Sequence, residues 1–210
     1  MRTAYIGMGS NLVSQAGPPA ETLAAAAERL ESLGCVNGRS SLYSTAPVGF
    51  AEQARFVNAV VELKTEFEPH DLLDALLEIE RAFGRDRAAS FPNGPRTLDL
   101  DILLMDNLVV SAPDLEIPHP RLAERAFVLV PLNEIAPQCV DPRSGMTIAQ
   151  LLCGLPADSS AGADAVAALQ SRGWHAGRCE EIARTRAARP LPGTREPTPS
   201  RPCKAGRIVE

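Results

Sequence analysis

The chain has 210 residues, 45% of them hydrophobic, which suits one folded domain with an extension or two small domains. Its net charge of −5 hides a split, because residues 171–210 carry nine basic and four acidic side chains whereas residues 1–170 carry 12 basic and 22 acidic ones. An acidic body is a poor non-specific binder of nucleic acid, and no apolar run is long enough to span a membrane, so we expect neither partner.

The first part of the chain alternates strand and helix patterns. Residues 3–8 predict a strand, and residues 7–11 (GMGSN) predict a turn, since they are too short for a dinucleotide-binding fingerprint. Leucine and alanine recur at helical spacing over 20–33, which predicts a helix. Residues 36–44 favour a second strand, and 56–63 alternate as a third.

A second helix is predicted over 69–84, with proline at its start and glycine at its end. An arginine-bearing loop over 85–95 leads into a strand over 97–105. The remaining patterns are a short edge strand, a helix or strand, and a short helix, over residues 108–110, 127–132 and 147–155.

The order β-α-β-β-α-β is typical of the α+β ferredoxin-like fold, an antiparallel sheet with helices on one face. We assign residues 1–156 to this domain. Residues 157–183 are ambiguous, with a possible helical extension over 163–174. Residues 184–210 contain five prolines and few apolar side chains, which predicts a disordered basic tail.

The five cysteines are scattered along the sequence and form no CxxC pair. Their spacing argues against a disulfide scaffold or a zinc site and favours a reducing compartment. The start of the sequence has no signal-peptide pattern, so we expect a cytoplasmic protein.

The strand within GPRTLDLDILL (94–104) carries two acids, Asp99 and Asp101. Residues i and i+2 of a strand share a face, which places their Cα atoms about 6–7 Å apart while Leu100 and Ile102 point to the core. Two such carboxylates suit Mg²⁺, and a pair can serve two ions about 3.5–4 Å apart. The alternative is an ordinary solvated strand face.

Arginines surround this acid pair in the sequence. Arg96 precedes Asp99 by three residues, Arg85 and Arg87 lie in the preceding loop, and Arg121 and Arg125 follow. Acids for Mg²⁺ and arginines for phosphate oxygens are the two halves of a phosphoryl-transfer site. Any single arginine has solvated surface charge as its alternative. The sequence contains no GxxxxGK[ST] motif of a P-loop enzyme.

With these residues in view, the chain resembles the 6-hydroxymethyl-7,8-dihydropterin pyrophosphokinase family. The resemblance runs in order through AYIGMGSNL, YSTAPVGF, FVNAVVEL, LLEIERAFGR, GPRTLDLDILL and IPHPRLAERAFVLVPLNEIAP. It implies a ferredoxin-like monomer whose two small-molecule substrates are ATP and 6-hydroxymethyl-7,8-dihydropterin. The implied reaction moves the β,γ-diphosphoryl group of ATP to the hydroxymethyl oxygen of the pterin, leaving AMP, as a step of tetrahydrofolate biosynthesis.

The resemblance also implies residue roles. The residues that match the pterin site are Thr45, Ala46, Val48, Phe56, Asn58 and Phe127. The residues that match the ATP site are Glu80, Arg87, Arg96, Ile102, His119 and Arg125. The implied catalytic residues are Arg85, Arg96, Asp99 and Asp101, and both aspartates are implied ligands of two Mg²⁺ ions. Core packing is the alternative for the two phenylalanines.

The chain departs from the family pattern in one loop. Asn93 stands where a tryptophan is usual, and Phe91 is the candidate substitute. Because this loop is expected to close over the substrates, a family member with impaired activity stays a possible alternative. A ferredoxin-like binding module is a second alternative, which the acidic body and the aromatic content of 4% disfavour.

Overall fold

The computed structural model describes residues 1–87, 93–156, 166–170 and 174–178. The strands, in chain order, are β1 Arg2–Ser10, β2 Cys35–Arg39, β3 Leu42–Thr45, β4 Phe56–Thr65, β5 Asp99–Met105, β6 Val110–Ser111, β7 Glu116–Ile117, β8 Val166–Leu169 and β9 Gly177–Arg178. The helices are α1 Pro19–Leu30, α2 Pro69–Ala82, α3 Ala126–Ile135 and α4 Ile148–Cys153, with a 3₁₀ turn at Leu122–Glu124.

The main sheet is antiparallel and has the order β5-β1-β4-β2-β9, with β3 also on β4 and β8 on β3. Strand β4 thus lies between β1 and β2, which helix α1 connects in sequence. This is the split arrangement of the ferredoxin-like fold, and it confirms the predicted fold class. β1 and β4 pair over nine consecutive residues, so the centre of the sheet is long and regular.

Helices cover both faces of the sheet, whereas the sequence predicted helices on one face only. One core contains apolar side chains of α1 and α2 together with Val61 and Leu63 of β4. A second core contains side chains of α3 and α4 together with Val60 and Leu103. The strands are apolar on both sides near their centres, and this buries a second helical layer.

Several predicted elements differ in detail. Residues 7–10 are part of β1 rather than a turn, and residues 36–44 form two strands, β2 and β3, instead of one. The segment 127–132 lies within helix α3. Within the ambiguous extension, Val166–Leu169 is a strand paired with β3 rather than a helix. Phe91 and the tail over 184–210 lie outside the described residues.

Among the described helices, none has the length and apolar character that crossing a bilayer requires. The three described cysteines, Cys35, Cys139 and Cys153, form no disulfide bond with one another.

Candidate functional site

The floor of the candidate site is formed by Gly7 and Gly9 of β1, which have no side chains. Gly9 lies opposite Asn58 of β4 on one side and Asp99 of β5 on the other, and Gly7 lies opposite Asp101. An added Cβ at Gly9 would be 3.0 Å from Asn58 Oδ1 and 3.8 Å from Asp99 Cβ. The two glycines therefore allow side chains of the flanking strands, Asn58 and Leu103, to approach the main chain of β1 closely.

Asp99 and Asp101 point to the same side of β5, as their spacing predicts, and both line one cleft. Leu100 and Ile102 point to the opposite side, where both are buried in the core. The side chain of Ile102, which the resemblance assigned to the ATP site, therefore lies away from the cleft. Only its main chain remains for a ligand contact.

The protein neutralises one carboxylate of this pair but not the other. Asp99 accepts a hydrogen bond from Arg85 and forms an ion pair with Arg96, whose Nε is 3.2 Å from Oδ2. No hydrogen bond or ion pair reaches Asp101 from the described residues. Burial, and then the charge of Asp99, raise the pKa of Asp101 to about 7, although Arg125 offsets part of the rise.

Glu80 organises the arginines behind the acid pair. Its side chain is buried at 1% exposure, and Oε1 accepts the main-chain N–H of Leu100 at 2.8 Å. Oε2 accepts from Arg87 Nη2 at 2.6 Å, and Arg85 Nη1 is 3.6 Å from Oε1. Burial raises the pKa of Glu80, which Arg85 opposes. Glu80 thus joins α2 to β5 and positions Arg85 and Arg87 rather than lining the cleft.

A pocket of about 430 Å³ opens beside the acids. Its lining includes all six residues that the resemblance assigned to the pterin, which are Thr45, Ala46, Val48, Phe56, Asn58 and Phe127. The other four lining residues are Asn93, Arg96, Arg121 and Arg125. The Asn58 amide donates to Thr45 Oγ1 at 2.7 Å, which fixes its orientation.

Each phenyl ring of this pocket has a guanidinium near it. The Cζ atom of Arg96 is 5.0 Å from the ring centre of Phe56, and that of Arg125 is 5.5 Å from the ring centre of Phe127. These are cation–π distances, and they hold positive charge beside both walls of the pocket.

An acidic pocket of about 420 Å³ adjoins the first one. Gly7, Gly9, Asp99 and Asp101 line it. The two pockets share Asn58, Arg96, Arg125 and Phe127. The aromatic-walled pocket and the acidic pocket therefore form one continuous cleft.

His119 faces the same charges from the segment that precedes α3. Burial and the Arg125 guanidinium lower the pKa of His119 to about 4, so the imidazole is neutral at pH 7. Its Nδ1 accepts the main-chain N–H of Arg121 at 3.1 Å. The proton therefore sits on Nε2, which is left as a donor.

Sequence reasoning missed several residues of this site. Asn11 Oδ1 accepts the main-chain N–H of Arg96 at 2.8 Å, and Gln53 connects Asn11 Nδ2 with the carbonyl of Asn93 at 2.9 and 2.8 Å. The pattern over 7–11 predicts a turn and so overlooks Gly7 and Gly9, although a G-x-G spacing inside a strand is itself a signal of close approach.

The family model described as 7,8-dihydro-6-hydroxymethylpterin-pyrophosphokinase (HPPK) matches residues 5–137. A 2-amino-4-hydroxy-6-hydroxymethyldihydropteridine pyrophosphokinase of Methylorubrum extorquens is 43% identical over 157 residues, covering 74% of this chain and 94% of that protein. The enzyme of the same name from Pseudomonas aeruginosa is 43% identical over 72% of this chain and 91% of its own length. The Dictyostelium discoideum folic acid synthesis protein FOL1 is 37% identical, but the chain spans only 22% of it.

Solved structures agree on the fold. The crystal structure of Plasmodium falciparum HPPK-DHPS, wild type with pteroate, has a TM-score of 0.57 and 16% identity, covering 71% of this chain and 41% of that chain. At this identity, the likeness supports the fold alone.

The glycine floor gives a first prediction. Gly9→Ala should weaken binding of the expected pterin about tenfold, which corresponds to about 1.4 kcal/mol, because the new methyl group displaces the Asn58 amide. Gly38→Ala in β2 is the matched control, since its added Cβ would come no closer than 3.7 Å to Glu62. Calorimetric titration measures both, and equal effects of the two variants would contradict the role given to Gly9.

The uncompensated charge gives a second prediction. Because the folded-state pKa of Asp101 is raised from 3.8 to about 7, the folded protein binds more protons than the unfolded chain between these values, and the carboxylate destabilises the fold as pH rises through 7. Asp101→Asn should therefore add about 1–3 kcal/mol to the free energy of unfolding at pH 8, with little gain near pH 4.

Urea unfolding across this pH range measures the effect. Asp74→Asn on α2 is the control, because its carboxylate is exposed, and its stability profile should follow that of the wild type. A gain at Asp101→Asn that does not depend on pH would show that the charge is not the cause.

Proposed function

The chain belongs to the 7,8-dihydro-6-hydroxymethylpterin-pyrophosphokinase family, and from that premise we propose that it transfers the diphosphoryl group of ATP to 6-hydroxymethyl-7,8-dihydropterin. The products are AMP and the pterin diphosphate, in a step of tetrahydrofolate biosynthesis. One observation carries this proposal: an aromatic-walled pocket and an acidic pocket share four residues. A transfer between a flat heterocycle and a polyphosphate requires two adjoining sites of such different chemistry.

The pterin binds in the aromatic-walled pocket. Phe56 and Phe127 supply ring faces for offset stacking on the flat heterocycle. The Asn58 amide, oriented by Thr45, offers hydrogen-bonding groups to the edge of the ring. Thr45, Ala46 and Val48 also line this pocket, so pterin affinity depends on the position of β3, which leads into this segment.

The triphosphate lies where the positive charges converge. Arg96, Arg121 and Arg125 line the pterin pocket, and Arg96 and Arg125 also line the acidic pocket. Guanidiniums bind phosphate oxygens with several N–H donors each. His119 is neutral and donates from Nε2, which suits a phosphate oxygen. Arg85 and Arg87 both form ion pairs with the Glu80 carboxylate.

Asp99 and Asp101 would hold Mg²⁺, with two ions expected. Asp101 suits a bound cation, because its carboxylate has a raised pKa and no hydrogen-bond or ion-pair partner among the described residues. No group of three or more His, Cys, Asp or Glu that suits a metal ion exists in the described part of the chain, so water and phosphate oxygens would complete the shell, as Mg²⁺ prefers. When bound, Mg²⁺ neutralises phosphate charge and favours attack at phosphorus.

The transfer is direct. The hydroxymethyl oxygen forms a bond to the β-phosphorus, its proton passes to water, and the bond from the β-phosphorus to the α,β-bridging oxygen breaks to release AMP. Such transfers depend on positioning and electrostatics rather than on a covalent enzyme intermediate. Arg96 and Arg125 offset the negative charge that develops on the leaving oxygen.

We place this reaction in the cytoplasm and on a monomer. The described cysteines form no disulfide with one another, which agrees with a reducing compartment.

The third prediction tests the reaction. Incubation with ATP, Mg²⁺ and 6-hydroxymethyl-7,8-dihydropterin should release AMP in proportion to the pterin diphosphate formed. Asp101→Asn should lower kcat by at least about 100-fold, the scale for loss of a metal or a preorganised electrostatic contact. Because the same variant is expected to be more stable at pH 8, unfolding would not explain the loss.

Asp74→Asn serves again as the control and should match the wild type. AMP release at near wild-type rate by Asp101→Asn would refute the role of the acid pair. A wild-type protein that binds the pterin but releases no AMP would indicate an impaired family member. A wild-type protein that binds single-stranded RNA but not an analogue of MgATP would indicate a binding module.

A further inference from the structure

The described C-terminal residues lie outside the family match and yet join the main sheet. The family model ends at residue 137, whereas residues 166–170 and 174–178 contain β8, β9 and the only tryptophan of the chain. We call these residues the C-terminal strap. The catalytic and binding roles proposed above use none of them.

The strap covers the outer edge of β3. Strand β8 is antiparallel to β3, with Leu42 opposite Leu169 and Thr45 opposite Val166. On its other edge, β3 pairs with β4 through residues 43–45. A short strand with one open edge is weakly held, and pairing on both edges fixes its register and position. The last of these pairs involves Thr45, which lines the pterin pocket.

Trp174 fixes the point where β2 ends and β3 begins. Its indole is 8% exposed, and Nε1 donates to the carbonyl of Ser40 at 2.8 Å. The guanidinium of Arg39 lies 5.6 Å from the centre of the indole ring. Ser40 is also tied to β4, since its N–H donates to the carbonyl of Val60 and its hydroxyl accepts the Val60 N–H, both at 2.9 Å.

The C-terminal end of β3 leads into the pterin-binding wall, which consists of Thr45, Ala46 and Val48. Thr45 accepts the hydrogen bond that orients Asn58, and Ala46 and Val48 follow directly. The position of this wall therefore depends on a strand four residues long that the strap holds at its start and along one edge. Glu134 of α3 holds the same strand by accepting from Tyr43 Oη at 2.8 Å.

We propose that the C-terminal strap is a positioning element for the pterin site, which sets pterin affinity by fixing β3 and leaves the phosphate side of the cleft unaffected. The inference rests on the proposed function for the identity of the ligand. The reason for the asymmetry is geometric: β3 contributes to the aromatic-walled pocket, whereas the acidic pocket is built from β1, β4, β5 and the start of α3.

The fourth prediction compares two truncations and two substitutions in the full chain. A chain ending at Pro156 lacks the strap, and a chain ending at Arg178 keeps it and serves as the matched control. Trp174→Ala removes the indole, and Trp174→Phe keeps a buried ring but loses the N–H donor to Ser40. Loss of the strap, or Trp174→Ala, should raise the KM and Kd for the pterin about three- to tenfold, with kcat and the KM for ATP within about twofold.

Trp174→Phe should give a smaller rise, and the control truncation should match the wild type. Hydrogen exchange should accelerate at the amides of Leu42–Thr45 in Trp174→Ala and remain unchanged in β1, which a uniform loss of stability would not produce. If the chain ending at Pro156 does not fold, the two tryptophan variants decide the matter.

Failure of this inference is distinguishable from failure of the proposed function. A wild-type protein that binds the pterin without releasing AMP refutes the activity, while the Kd comparison still tests the strap. Equal changes in the pterin and ATP constants, or no change in pterin Kd on loss of Trp174, would overturn the positioning role. A wild-type protein without pterin affinity would overturn both.

Discussion

Two like charges side by side on a largely buried strand are the constraint on which this site depends. Asp99 and Asp101 repel each other, and burial makes that repulsion costly. The fold resolves it unevenly, since Arg85 and Arg96 neutralise Asp99 while Asp101 is left with a raised pKa. A protein under selection for stability alone would not keep such a group, and an uncompensated carboxylate beside a cluster of guanidiniums is the arrangement that a cation with a polyphosphate would complete.

The rest of the cleft follows from how the sheet surrounds this pair. Gly7 and Gly9 of β1 place no side chain between β4 and β5, and Asn58 and the two acids line one pocket with them. Helix α3 packs over the same face and brings Phe127 to the edge of that space. The acceptor and donor sites therefore touch, because they lie on neighbouring strands of one rigid sheet.

The supporting contacts lie on the far side of the functional groups. Glu80 holds Arg85 and Arg87 from α2, Asn11 holds the main chain of Arg96, and Glu134 holds β3. The C-terminal strap belongs to this class, since it pairs with β2 and β3 and reaches the lining of the cleft at Thr45. Such contacts restrict the groups that meet the substrates, and preorganisation of this kind lowers the entropy lost on binding.

The sequence by itself determined the family, the order of the main elements and most of the cleft, because strand alternation places Asp99 and Asp101 on one face and the motifs around Asn58 and Phe127 are specific. Only the tertiary structure decided which residues meet. Whether GMGS is a turn or a strand depends on β4 and β5 flanking it, and whether Asp99 or Asp101 is neutralised depends on an arginine from a distant loop. The alanine-rich segment around 166–169 favours a helix locally, yet the open edge of β3 makes it a strand. Local patterns report the periodicity of one segment, whereas pairing across a sheet is settled by partners far away in the chain.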